Sequence, residues 1–220
     1  MSGLASLRLA LLVLLLAAPV PAFAATVIGS VTRVQGDCSG TVEGATRTLA
    51  EGDPVHLDEA VATAEGGRLA ITFDDGTVLT LGAKATVTID RFVYVPRSQG
   101  NAFHASIVGA FRFVSGSLGK TPASTVGVTT PVATVAVRGT DFWGGPIDGL
   151  YGVFLTEGAV AVAAGAREPL LDAPGEGMTI APPRPPLRGA AESAARPVAG
   201  AVTVWPADRV SRALASVAFN

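Results

Sequence analysis

The chain has 220 residues, 49% of them hydrophobic and 15% charged, with a formal net charge of −2. That length allows one large or two small domains, and so mild an acidity gives no electrostatic ground for a nucleic-acid or anionic-membrane partner. A single cysteine, Cys38, excludes an internal disulfide, and with only His56 and His104 beside it no His/Cys zinc cluster can be assembled.

Residues 1–24 read as a secretory signal peptide. Arg8 precedes the apolar run LALLVLLLAA, and the stretch ends in the small-x-small pattern Ala22-Phe23-Ala24. The run is short of the ~20 residues that a membrane-spanning helix needs. Cleavage after Ala24 leaves 196 residues with a net charge of −3. The mature chain is therefore expected to be periplasmic or secreted, with no integral membrane span.

From residue 25 to 181 the composition is Val-, Thr- and Gly-rich, as strands punctuated by turns require. Val27 to Val34 forms the first predicted strand, followed by a Gly-rich bend at Gly36 to Gly40. LAEGDPVHLDEAVATAEGG is extended, with a turn at Gly52-Asp53-Pro54. In GGRLAITFDDGTVLTLGAKATVTID, Leu69, Ile71 and Phe73 alternate with Ala70 and Thr72, and Asp75-Gly76 supplies a hairpin turn. Leu79 and Leu81 resume the apolar face, and Val87 and Ile89 repeat it after Gly82-Ala83-Lys84. Arg91 to Pro96, Phe111 to Leu118, Val126 to Val137 and Val153 to Ala163 supply further strands. Many short strands at roughly ten-residue spacing, with no long helical periodicity, predict an all-β fold: a β-solenoid (β-helix-like) or a sandwich-like domain. Residues 182–204 are a Pro/Ala-rich linker too poor in large apolar groups to offset ordering entropy. In 205–220, Val210, Leu214 and Val217 recur at helical spacing, which predicts a short C-terminal helix capped by Asp208 that either packs back on the sheet or presents its apolar stripe to a partner.

The sequence shows no catalytic, cofactor or metal motif. There is no HExxH and no Gly-x-Ser-x-Gly elbow. GSLGKT at 116–121 resembles the end of a phosphate loop, but Val114 stands where the first glycine belongs, and Pro122 opposes the helix that should follow. It is a turn. Asp74-Asp75-Gly76 also reads as turn chemistry, because adjacent carboxylates are not held across a cleft. Trp143 and Tyr151 fall outside clean strand faces. Trp143, just before Gly144-Gly145-Pro146, reads either as a cover of the core or as an aromatic that a loop mouth presents to a glycan, a small ligand or a protein partner.

The segment TTPVATVAVRGTDF, Thr129 to Phe142, resembles the signature of the FecR domain, Thr-Pro-x-Ala-x-x-x-x-Arg-Gly-Thr-x-Phe. Thr130, Pro131, Ala133, Arg138, Gly139, Thr140 and Phe142 match in place. EGDPV, GGRLAITFDDGTVLTLGAKATVTI, FRFVSGSLG and LTEGAVAVAAG follow the same family in order, so the resemblance spans about residues 26–180. It implies an extracytoplasmic β-rich domain, often solenoid-like, which in the namesake regulators relays a signal from an outer-membrane transporter to a sigma factor. Without a recognisable sigma-regulating segment, this chain is expected to be a stand-alone, non-enzymatic module that binds another envelope protein. The alternative is a periplasmic protein that binds a glycan or small ligand through Trp143 and Tyr151. The signature itself reads as a fastening of the fold. Arg138 is expected to satisfy buried acceptors, Gly139 to permit a bend, Thr140 and Asp141 to bond the turn, and Phe142 to re-enter the core.

Overall fold

The computed structural model describes residues 25–98, 100–120, 123–183 and 196–220. The signal peptide expected at 1–24 and residues 184–195 of the expected linker lie outside the described residues.

Period-two patterning builds seventeen strands among the described residues. They are β1 Val27–Gln35, β2 Cys38–Val42, β3 Ala45–Thr48, β4 Pro54–His56, β5 Ala60–Thr63, β6 Arg68–Phe73, β7 Val78–Leu81, β8 Thr86–Val93 and β9 Ala102–Val108. After them come β10 Phe111–Val114, β11 Thr125–Thr129, β12 Thr134–Ile147, β13 Leu150–Ala163, β14 Leu170–Leu171, β15 Glu176–Ala181, β16 Val198–Ala199 and β17 Thr203–Val204. One helix, α1 Ala207–Ala215, closes the chain.

The strands make a single sheet that curls into two leaves. Leaf one runs β4, β1, β6, β7, β10, β12, β13, β15 and ends in the short β16 and β17. Leaf two runs β3, β2, β5, β8, β9, β11, β12, β13 and ends in β14. The long hairpin β12–β13 belongs to both, because its Thr134–Arg138 half pairs in leaf two and its Asp141–Ile147 half in leaf one. Every pairing is antiparallel except β9 with β11.

The core lies between the leaves. Phe103 of leaf two stands edge-on to Phe73 and Phe113 of leaf one, with centroids 5.2 and 5.3 Å apart. Phe142 extends the cluster to Phe111 at 5.5 Å, and these rings are all buried. Such offset and edge-on contacts suit the aromatic quadrupole better than face-to-face stacking. The all-β expectation holds. The form is one curled, half-barrel sheet with a short C-terminal helix.

Three local expectations change. Val126 to Val137 is not one strand, because a tight turn at Thr130–Ala133 separates β11 from β12. The end of the expected linker is sheet, since β16 and β17 both pair with β15. Asp208 does not cap α1. The cap position is Pro206, without a side-chain hydrogen bond, and Asp208 instead accepts from Arg212 one turn on at 2.7 Å. That exposed pair holds the Asp208 carboxyl below its ordinary pKa. Among the described residues no helix is long and apolar enough to cross a membrane.

Candidate functional site

The signature segment forms the joint between the leaves. Thr130 Oγ1 donates to the Ala133 carbonyl at 2.9 Å and accepts from the Ala133 N–H at 3.1 Å, while the Thr130 N–H donates to the same carbonyl. Thr130 and Ala133 are buried, and Pro131 sits exposed at the tip with the fixed φ a turn wants. The bend itself falls at Gly139, where the β12–β13 register shifts and φ is +57°. Opposite it, Gly158 has φ +84°, and a Cβ there would run into the Gly139 carbonyl. Two glycines are thus needed face to face for the hairpin to turn from one leaf into the other.

The polar residues around the bend lock it to β10. The Thr140 N–H donates to Ser115 Oγ at 3.0 Å, and the Ser115 N–H returns a bond to the Thr140 carbonyl at 2.8 Å. Asp141 accepts two bonds from Arg112, from Nε at 2.8 Å and Nη2 at 2.6 Å. This fork raises the guanidinium pKa, chiefly through its hydrogen bonds to Asp141. The two motifs set aside as turns meet just beyond. Buried Asp75 accepts from the N–H and hydroxyl of Thr77 and from the Leu118 N–H, and Thr77 Oγ1 accepts from the Gly116 N–H.

Arg138 does none of this work. It is exposed, on the outward face between buried Val137 and the bend, and it makes no hydrogen bond or ion pair among the described residues. The expectation that it satisfies buried acceptors is corrected: the fork that fastens the bend is Arg112 on Asp141. Arg138→Ala should therefore move the unfolding free energy by less than about 0.5 kcal/mol, as surface changes usually do. Thermal melts of the two proteins check this.

Trp143 and Tyr151 were candidates for a binding surface, with a core cover as the other reading of Trp143, and the structure buries both, at 0% and 9% exposure. Tyr151 points into the core towards Thr130. Its hydroxyl forms no well-made hydrogen bond, and burial pushes the phenol pKa up. Trp143 faces out of leaf one but lies under α1, in a second apolar cluster with Ala110, Ile147, Phe154, Trp205, Ala213 and Val217. Its Nε1–H donates to Ser216 Oγ at 3.0 Å. Trp205 stacks on Phe154 at 5.4 Å and stands edge-on to Trp143 at 6.2 Å. Gly152 and Gly177 leave room for that indole, since a Cβ on either would press into it.

The C-terminal segment is therefore a strap across one end of leaf one. Arg209 and Arg212 each reach Asp148, in the β12–β13 turn, at 3.0 Å. At the far end Arg33 of β1 lies 4.4 Å over the Phe219 ring, and the Asn220 N–H donates to Gln35 Oε1 at 3.0 Å. The apolar stripe legible in the sequence is spent on this packing, with Val210 and Leu214 half-buried and Val217 buried.

What remains open are the strand edges, and they differ. On the N-terminal side the outermost strands are β3, carrying Arg47, and the three-residue β4, which begins with Pro54. Short strands, proline and charge are the usual protections of an edge. On the C-terminal side the outermost strands are β14, β16 and β17, with Leu170, Val198 and Val204 exposed at 53%, 63% and 75%. These strands are two residues each, with Pro169 and Pro197 just before β14 and β16, so this side is set apart by its exposed aliphatic side chains and by the lack of charge within the strands.

A two-leaved all-β domain whose leaves are joined by a double-glycine bend is the class this geometry defines. Residues 59–161, from just before β5 to near the end of β13, match the family model described as FecR protein. Two crystal structures of a candidate anti-sigma factor from Parabacteroides distasonis share the fold, each with a TM-score of 0.50 and 20% identity. Each alignment covers 70% of this chain and 64% or 63% of the other, so the chain spans just under two thirds of those proteins. Comparison with curated proteins finds no match.

Proposed function

We propose that the chain is a non-enzymatic periplasmic interaction and signalling module, which binds another envelope protein by adding a partner strand to the β16/β17 edge of leaf one. The observation that carries this reading is the asymmetry of the edges: the N-terminal one carries arginine, and the end of leaf one presents exposed Val198 and Val204. Strand addition takes affinity from main-chain hydrogen bonds and specificity from alternate side chains, and an apolar edge without charge supplies both. The match to the FecR family model and the fold shared with a candidate anti-sigma factor support the signalling part of the reading. The strap already occupies the apolar stripe of α1, which favours the edge over the helix as the partner's seat. A glycan or small-ligand reading through Trp143 and Tyr151 has no exposed ring to rest on.

Co-purification from envelope extracts tests the proposal. Val198→Lys with Val204→Lys places charge on the edge at positions too exposed to matter for folding. The doubly substituted protein should lose the partner while its melting temperature stays within a degree or two. Retention of the same partner by that variant would refute the edge as the docking site.

A further inference from the structure

The outer face of leaf two carries a row of polar side chains with the geometry of an activated hydroxyl. His104 on β9 makes two ring contacts: Nδ1 to Asp90 Oδ1 at 2.6 Å, and Nε2 to Thr129 Oγ1 on β11 at 3.0 Å. The carboxylate of Asp90 can only accept, so Nδ1 carries the proton and Nε2 is left as the acceptor for the Thr129 hydroxyl. Nucleophile on base and base on orienting carboxylate are the two distances such an arrangement requires.

The fold supplies the placement. A register shift between Ile89 and Arg91 turns Asp90 outward beside His104. The parallel pairing sets Gly127 opposite His104, and the imidazole reaches across it to Thr129 two residues on. A Cβ on Gly127 would press on His104 Cδ2 at 3.3 Å, so the glycine gives the ring its path. A groove of about 320 Å³, bordered by Asp90, Arg91, His104 and Thr125, opens beside the ring. The strap lies on leaf one, which leaves this face in solvent.

We infer that Thr129 is an acyl-acceptor site, activated by His104 and Asp90 and modified by carboxylic esters that reach its hydroxyl from solvent past the groove beside the ring, whose lining includes His104 but not Thr129. As the Thr129 Oγ–acyl carbon bond forms, the hydroxyl proton passes to His104 Nε2. The ester's acyl–oxygen bond breaks, and His104 returns the proton to the departing alkoxide. The products are O-acyl-Thr129 and an alcohol, with no oxidant or further reactant. The step is a single self-modification and requires no turnover, so it stands apart from the edge-binding reading and neither depends on the other.

The full chain treated with p-nitrophenyl acetate, followed by peptide mass spectrometry, tests this. An acetyl group should appear on Thr129 and vanish in Thr129→Val. Its rate of appearance should fall about 10²-fold in His104→Gln, the range for losing a positioned base. Asp90→Asn should slow labelling at saturating ester while leaving the half-saturating ester concentration unchanged, as expected of a residue that orients the ring. Background is readily separated, because the sequence holds only two lysines, Lys84 and Lys120. Acetylation confined to those lysines or to His104, or labelling of Thr129 that is indifferent to His104→Gln, would overturn the assignment. Thermal melts of each variant separate a lost relay from a lost fold.

Discussion

Trp143→Ala is expected to cost about 3–5 kcal/mol of unfolding free energy, the range for emptying a fully buried aromatic site. For a domain of this size that is a fall of roughly 6–20 °C in melting temperature. Trp143 is wholly buried between leaf one and the strap, edge-on to Trp205, with its Nε1–H on Ser216. Its removal leaves a cavity roofed only by α1, a nine-residue helix with no side-chain cap. The loss should therefore appear first as release of the strap, and limited proteolysis should cut near residues 205–220 before the leaves unfold. Ser216→Ala removes the bond from Trp143 and the one its hydroxyl donates to the Ala213 carbonyl, with little volume, and should cost about 1–2 kcal/mol. If Trp143→Ala melted with the native protein, the strap would not be the element that closes this face.

Glu59→Ala should be the second large effect, at about 3 kcal/mol. Glu59 is fully buried at the start of β5, yet it carries a carboxylate. Arg47 Nη2 donates to Oε1 at 2.9 Å, and the N–H and Nδ1 of His56 lie at 2.9 and 3.0 Å from Oε2. Through these bonds one side chain ties β3 to β4, which lie in different leaves. Gly40 of β2 has no side chain because Glu59 Oε1 fills the space where a Cβ would stand. Breaking a buried pair costs about 3–5 kcal/mol when the remaining partner stays buried. Here Arg47 is about a third exposed and recovers water, which places the effect at the lower end. Glu59→Gln keeps the shape and one carbonyl acceptor, and should cost about half as much. Chemical denaturation of the three proteins measures the difference, and a cost below about 1 kcal/mol for Glu59→Ala would mean that the triad is not what holds this end closed.

Much of the strand pattern was legible because burial on one face imposes a period of two. Leu69, Ile71 and Phe73 are all buried, as their alternation implied, and Gly76 has the positive φ of a turn. The helix was legible for a similar reason, since Val210, Leu214 and Val217 fall on one side at helical spacing and all three pack on the second cluster. Which leaf a strand joins was not legible, because alternation states that a face is buried and not against what. Thus β6 and β7 pair in leaf one, while β8, next in the chain, crosses to leaf two.

The loop expected after Trp143 is absent for a sharper reason. Gly144-Gly145-Pro146 carries the composition of a loop, yet these residues lie inside β12. Glycine serves there as absent volume. A Cβ at Gly144 would meet the Phe111 ring at 2.7 Å, and one at Gly145 would meet Trp143 itself at 2.9 Å. Both faces of β12 are buried at this point, Phe142 in the core and Trp143 under the strap, so alternation disappears where packing is densest. Arg138 was misread in the opposite sense. Its place in the signature drew a structural role to it, while Arg112, thirty residues earlier in a plain strand, holds Asp141. Nothing local in the sequence links Arg112 to that carboxylate; only the register of β10 against β12, Val114 opposite Asp141, brings them together. The polar row of Asp90, His104 and Thr129 was hidden likewise, because it is assembled by a bulge and a parallel pairing across three strands.

The central claim is that a partner strand adds to the open C-terminal edge. Amide hydrogen exchange of the chain, alone and bound to the partner recovered by co-purification, tests it most directly. New protection is expected at 198–204, with β3 at 45–48 and the strap at 207–215 unchanged. Protection gained at β3 or on the strap, with the C-terminal edge exchanging as before, would contradict it.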